Sequence, residues 1–92
     1  MALKEKLLED MKSAMKEKDQ VKKNTIQFVR AAILQVEKDN KVTLDDEGVT
    51  EILAKEVKKR RDSLPEYEKS GRQDLIDTLK REIEIILAYL PK

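Results

Sequence analysis

The sequence predicts an all-α protein, a small bundle of about four helices in one domain that spans residues 1–92. Charged residues make up 42% of the chain, and it has only 2 Gly and 2 Pro, a composition typical of helices. Apolar residues recur three or four positions apart along most of the chain, which is the spacing of one helix face. The length is that of a single small domain, so we expect one hydrophobic core.

The first two helices are predicted over residues 2–18 and 20–39, with Asp19 and Gln20 between them. The apolar stripe of the first helix consists of Leu3, Leu7, Leu8, Met11 and Met15. That of the second consists of Ile26, Val29, Ile33 and Val36, flanked by Val21 and Thr25. Asn40 and Lys41 should end the second helix, because asparagine often adopts the left-handed conformation that terminates helices.

The third helix is predicted to begin at Thr43 as N-cap and to end at Ser70–Gly71. Asp46 stands at the third helical position and completes a capping box with Thr43. Pro65 lacks a backbone donor, so the helix should kink or restart there. The apolar face of this helix is predicted to consist of Val49, Ile52, Leu53, Val57, Leu64 and Tyr67.

The fourth helix is predicted from Arg72 to about Tyr89, before Pro91. Its apolar face is predicted to consist of Leu75 or Ile76 with Leu79, Ile83, Ile86 and Leu90. Ile85 and Tyr89 lie off this face, so the helix end is apolar on two sides and needs cover on both. We therefore expect Ile85 and Tyr89 to form an interaction surface for a second copy of the chain or for another protein.

The missing residue types exclude several chemistries. The chain has no Cys and no His, which removes thiolate and Ser–His nucleophiles and the commonest metal ligands. Most carboxylates share polar helix faces with Lys or Arg and are expected to form solvated pairs. We predict no catalytic residue, no metal site and no cofactor. No apolar run is long enough for a membrane span and the N-terminus has no signal-peptide core, so we predict a cytoplasmic protein.

A basic cluster in the third helix is the strongest candidate for a binding site. It consists of Lys55, Lys58, Lys59, Arg60 and Arg61. Lys58 points away from the predicted apolar face, whereas Arg60 falls on that face, where an unpaired charge is costly. Arg60 is predicted either to form a structural ion pair, with Glu82 or another acid of the fourth helix, or to be held for a ligand phosphate.

Two segments resemble the YqeY-like family, also called the GatB/YqeY domain family. Residues 59–91, KRRDSLPEYEKSGRQDLIDTLKREIEIILAYLP, carry its signature, and residues 3–19, LKEKLLEDMKSAMKEKD, are similar to its first helix. The resemblance covers nearly the whole chain. It implies the N-terminal domain of the family, with the smaller C-terminal helical domain expected to be absent. Gln27 stands where family members commonly carry Arg; Arg30, one turn further on, is the expected substitute.

The resemblance implies a relation to the tail of the B subunit of glutamine-dependent aspartyl/glutamyl-tRNA amidotransferase, a carbon–nitrogen ligase with glutamine as amido donor. By this kinship we expect a non-catalytic module that contacts the backbone of tRNA or another RNA. The expected contacts are Lys58, Lys59, Arg60, Arg61 and Arg72. The alternative is a protein–protein adaptor that docks through its apolar C-terminal helix, and the salt dependence of binding separates the two.

Overall fold

The computed structural model describes residues 2–91, and they form four α-helices without strands. The helices are α1 (Leu3–Lys16), α2 (Gln20–Asn40), α3 (Asp46–Ser70) and α4 (Gln73–Leu87). α3 packs along α4 and α1 along α2, while α2 also contacts both α3 and α4. This arrangement confirms the predicted all-α bundle. No helix within the described residues is both long and apolar enough to cross a membrane.

The core lies where the apolar faces of the helices meet around α2. Ile26 and Val29 are 1% exposed and Ile33 is 5% exposed, which confirms the face predicted for α2. The other helices add buried residues to the same cluster: Leu7, Val49, Ile52, Leu53, Val57, Ile83 and Ile86. Each fully buried Val, Leu or Ile side chain contributes roughly 1.5–3 kcal/mol, so this cluster is the main stabilising element.

The apolar stripe predicted for α1 is wrong at its C-terminal end. Met15 is 56% exposed, whereas its neighbour Ala14 is fully buried. Successive steps of four residues rotate by about 40° each around a helix with 3.6 residues per turn. From Leu7 to Met15 the rotation reaches about 80°, while Ala14 returns to within about 20° of Leu7. Ala14 therefore occupies the core position.

The start of α3 also differs from the prediction. The N-cap is Asp45, whose Oδ1 accepts a hydrogen bond from the Gly48 amide at 2.9 Å, and Thr43 lies outside the helix. Asp46 does not complete a capping box; its Oδ1 accepts from the Leu3 amide at 2.9 Å and so satisfies the N-terminus of α1. Carboxylates at both helix starts complement the helix dipoles.

The C-terminal ends of α2 and α3 have the expected left-handed residue, although in α2 it is one residue later than predicted. α2 ends after Asn40, but the left-handed residue is Lys41, with φ of 54°. α3 continues through Pro65 as one helix without a restart and ends at Gly71, with φ of 71°. Glycine tolerates this conformation without strain, which explains the sharp turn into α4.

Candidate nucleic-acid interface

Four of the exposed cations on α3 and at the turn that follows it are predicted contact residues. We call them the basic strip: Lys58, Lys59, Arg61 and Arg72. The side chains of Lys58, Lys59 and Arg72 are 77%, 72% and 62% exposed, and Arg61 is also exposed. With about 100° between successive helix residues, the three cations of α3 fall within about 160° of the helix circumference. Four of the five predicted contact residues are therefore accessible to a ligand.

Carboxylates lie beside these cations but engage them weakly. Lys58 Nζ is 2.9 Å from Asp62, one helical turn further along the exposed surface. Lys59 Nζ is 3.4 Å from Glu56, and Arg72 Nε is 3.9 Å from Asp74. Exposed ion pairs contribute about 0–1 kcal/mol because water and salt screen them. A phosphate can therefore replace Asp62 or Asp74 at little cost, whereas the partner of Lys59 is the buried Glu56, which also binds Arg60.

Arg60 has a different environment from the basic strip. Its side chain is 12% exposed; its Nη1 donates to Glu56 Oε1 at 2.9 Å and its Nε donates to Glu82 Oε1 at 3.0 Å. The guanidinium carbon lies 5.1 Å from the centre of the Phe28 ring, within cation–π distance. The structure thus confirms the ion pair between Arg60 and Glu82 and removes Arg60 from the exposed phosphate contacts.

Glu56 is a site residue that the sequence analysis missed. It is 4% exposed, and its two carboxylate oxygens accept from Arg60 and Lys59. Its position contained a signal, because it follows Val49 by seven residues and so falls on the same helix face. An acid and an arginine four residues apart on one apolar face form a buried pair. The same Glu56–Arg60 unit therefore joins α3 to α4 through Glu82.

The predicted surface at the end of α4 is partly covered by α1. Ile85 and Tyr89 are half-buried and pack against the core cluster. The Tyr89 hydroxyl donates to Asp10 Oδ2 at 2.5 Å. Burial, together with this hydrogen bond, raises the pKa of Tyr89 well above its ordinary value. Leu87 is 37% exposed, and docking of a partner at Ile85 and Tyr89 stays a prediction.

Two of the clefts that border α1 in the described part of the chain contain several charged side chains, and neither brings together the components of a metal or nucleophile site. A cleft of about 380 Å³ between α1 and α4 contains the Tyr89–Asp10 contact and an ion pair between Arg81 and Asp19 of 2.5 Å. A groove of about 320 Å³ lies between α1 and α2. Within residues 2–91, no group of three or more His, Cys, Asp or Glu side chains is arranged to hold a metal ion.

Comparison with known proteins gives a consistent picture. A family model described as "Yqey-like protein" matches residues 4–92. Relatives named "Altered inheritance of mitochondria protein 41, mitochondrial" are 38% identical in Eremothecium gossypii and 37% identical in Kluyveromyces lactis. These matches cover 91% and 90% of this chain, and 46% and 45% of the relatives. The chain thus spans about half the length of the curated relatives that it matches.

The relatives correct one prediction made from the sequence. The absence of a signal-peptide core and of a membrane span led to a cytoplasmic assignment. These two relatives, and another from Clavispora lusitaniae that is 35% identical, are named as mitochondrial proteins. These names contradict the assignment to the cytoplasm. The prediction failed because a short stretch of sequence at one end of a domain does not report on the compartment of the whole protein.

Proposed function

The chain belongs to the YqeY-like family, and on this basis we propose that it is a non-catalytic helical module that contacts the phosphate backbone of tRNA or another folded RNA. The observation that carries the proposal is the exposure of the basic strip beside a buried arginine. The side chains of Lys58, Lys59 and Arg61 are exposed, so a ligand can reach them, whereas Arg60 between them is mostly buried and paired with Glu56 and Glu82. The relation to the amidotransferase tail that the resemblance implies agrees with such a role.

The chemistry of the strip favours contact with phosphates over readout of bases. Lysine and arginine form strong, charge-assisted hydrogen bonds with phosphate oxygens. Only 3% of the residues are aromatic, which leaves little surface on which unpaired bases could stack. The net charge of +1 provides no general attraction, so binding depends on where the cations lie. A folded RNA, recognised by shape and backbone, is the ligand class that fits.

The experiment is filter binding of folded tRNA to the purified chain across a salt series. We expect affinity to fall steeply with salt, and each of Lys58→Ala, Lys59→Ala and Arg61→Ala to reduce the salt slope by about one. Lys12→Ala, which removes an exposed lysine from α1, is the matched control and should leave the slope unchanged. Absence of measurable tRNA affinity at low salt, or affinity indifferent to the triple substitution, would reject the proposal.

The lack of catalysis has a separate test. The description as a carbon–nitrogen ligase comes from the implied relation to the amidotransferase. This chain itself has no His or Cys to serve as general base or nucleophile. We expect the purified chain to release no ammonia from glutamine. Activity that persists through further purification, and that scales with the amount of this chain, would contradict this part of the proposal.

A protein–protein adaptor is the second candidate function. Exposed Leu87 lies near Ile85 and Tyr89, so the end of α4 offers some apolar surface to a partner. Binding of this kind persists or strengthens as salt is raised, since burial of apolar surface does not depend on counterion release. Measuring the affinity for a protein partner across the same salt series therefore distinguishes the adaptor from the RNA module.

A further inference from the structure

The groove between α1 and α2 contains an apolar side chain with no cover. Leu34 is 66% exposed, more than any other large hydrophobic residue described, and exposed Ala31 precedes it by one turn. Both residues line the groove, together with Gln27 at one end and Glu37 at the other. A small residue such as Ala31 lets another helix approach closely. This face of α2 therefore suits a second helix.

The charged groups at the two ends of this face have unused hydrogen-bonding capacity. The Arg30 side chain has one partner within residues 2–91, the Met11 sulfur at 3.8 Å, and no carboxylate within salt-bridge distance. Glu37 uses Oε2 for both the Lys4 ammonium and the Leu44 amide, while Oε1 accepts no hydrogen bond from the described residues. One end of the face thus offers a guanidinium, and the other offers a carboxylate oxygen.

The spacing of these groups makes the face complementary to itself. Arg30 and Glu37 are seven residues apart, about two helical turns or 10 Å, with Leu34 between them. Seven residues is also the repeat with which paired helices keep one face in contact. If two copies of α2 run antiparallel with Leu34 at a two-fold axis, residue 30 of one copy lies at the level of residue 38 of the other, about 1.5 Å along the helix axis from Glu37. Arg30 then reaches Glu37 of the second copy, and the symmetry repeats the contact.

We propose that the α1–α2 groove is a homodimer interface, in which the α2 helices of two copies pack antiparallel with Leu34 at the two-fold axis. Charge complementarity favours a second copy as the occupant. Arg30 has no carboxylate partner within its own copy, Glu37 Oε1 accepts no hydrogen bond there, and each copy presents both groups to the other. The contact extends over about three helical turns from Gln27 to Glu37 and is smaller than the interfaces of tight dimers. The dimer is therefore weak and forms at high protein concentration.

Sedimentation equilibrium on the purified chain tests the proposal. The average mass should rise from 10.7 kDa toward twice that value as the concentration approaches about 1 mM. Leu34→Glu places two like charges at the axis and should weaken association at least about tenfold. Met15→Glu makes the same change at an apolar residue that is 56% exposed and does not line the groove, so it should leave association unchanged.

A cysteine cross-link tests the orientation of the two helices. The chain has no native Cys, so Leu34→Cys introduces a single thiol that should meet its own copy and form a disulfide-linked dimer under mild oxidation. Met15→Cys is the matched control and should cross-link much more slowly. A monomer at all concentrations, or equal cross-linking of the two variants, would overturn the proposal. A dimer that Leu34→Glu leaves intact would also overturn it and would point to the Ile85–Tyr89 surface.

Discussion

Residues 58–61 of α3 form a run of four cations, yet they occupy two different environments. Arg60 is 12% exposed and contacts two carboxylates and an aromatic ring, whereas Lys58 and Lys59 are more than 70% exposed. The difference follows from helix geometry, because only Arg60 continues the face that begins with Val49, Leu53 and Val57. Residue type alone therefore does not distinguish a cation that stabilises the bundle from one that is available to a ligand.

Two other polar contacts also join helices of the bundle, but their side chains are more exposed than that of Glu56. Glu37 receives the Lys4 ammonium and the Leu44 amide, and Asp10 receives the Tyr89 hydroxyl. The Lys4–Glu37 and Tyr89–Asp10 contacts join segments that are distant in sequence. Removing Arg60 strands Glu56, whose side chain is 5% exposed, in a poorly hydrated site, which costs more than the contact itself contributes. Exposed pairs lack this penalty, since water replaces the lost partner.

The largest expected effect is that of Arg60→Ala. The substitution leaves Glu56, which is 4% exposed, with only Lys59 as a charged partner, and breaks the link to Glu82. We expect a loss of about 3 kcal/mol in the free energy of unfolding, measured by urea denaturation. The double variant Arg60→Met with Glu56→Leu removes both charges and should recover much of the loss. A loss under about 0.5 kcal/mol for Arg60→Ala would erase the contrast between the two environments.

Tyr89→Phe should have a smaller effect that depends on pH. The variant loses the hydrogen bond to Asp10 at a half-buried position, and we expect a loss of about 1 kcal/mol near neutral pH. Because the pKa of Tyr89 is raised in the folded protein, its contribution is complete below the unfolded pKa of 10.0. It declines at higher pH, as the unfolded chain ionises first. The stability difference between the wild type and Tyr89→Phe should therefore shrink in alkaline titrations of thermal stability.

Glu37→Gln should show the opposite pH dependence. The hydrogen bonds from Lys4 and the Leu44 amide lower the pKa of Glu37 below its usual 4.5. The stability from this carboxylate is therefore present above pH 4.5 and is lost as the pH falls through the folded pKa. The variant should be less stable than the wild type at pH 7, and the two curves should converge in acid. Parallel curves from pH 7 to acid would show that the charge of Glu37 contributes nothing.

Much of the fold could be predicted because helical periodicity reports directly on local packing. The buried face of α2, the end of α3 at Gly71 and the helix count follow from spacing and termination residues. Two of the errors concern positions that local patterns do not determine. Ala14 occupies the core position predicted for Met15, because steps of four residues rotate away from the buried face of the helix. Asp45, and not Thr43, is the N-cap of α3. Thr43 and Asp45 are both good capping residues.

The candidate sites were predicted only in part, because their partners come from other helices. The position of Arg60 on an apolar face predicted an ion pair, and Glu82 was named as a partner. Glu56 was missed, although its seven-residue spacing from Val49 placed it on that face. The unused oxygen of Glu37 could not be inferred, because it depends on where α1 brings Lys4 and where the loop brings Leu44. Contacts over long sequence separations leave no periodic signal.

The smallest expected effect on stability is that of the exposed cations themselves. Lys58→Ala and Arg61→Ala remove charges from the outer face of α3 and should each change the free energy of unfolding by less than about 0.5 kcal/mol. The Lys58–Asp62 pair spans one turn with both side chains mostly exposed, so its loss is offset by hydration of Asp62 and by the high helix propensity of alanine. Urea denaturation of these variants beside Arg60→Ala completes the comparison. A loss above about 1 kcal/mol would mean that the strip also stabilises the bundle, and that reduced RNA binding by these variants could not be attributed to lost phosphate contacts.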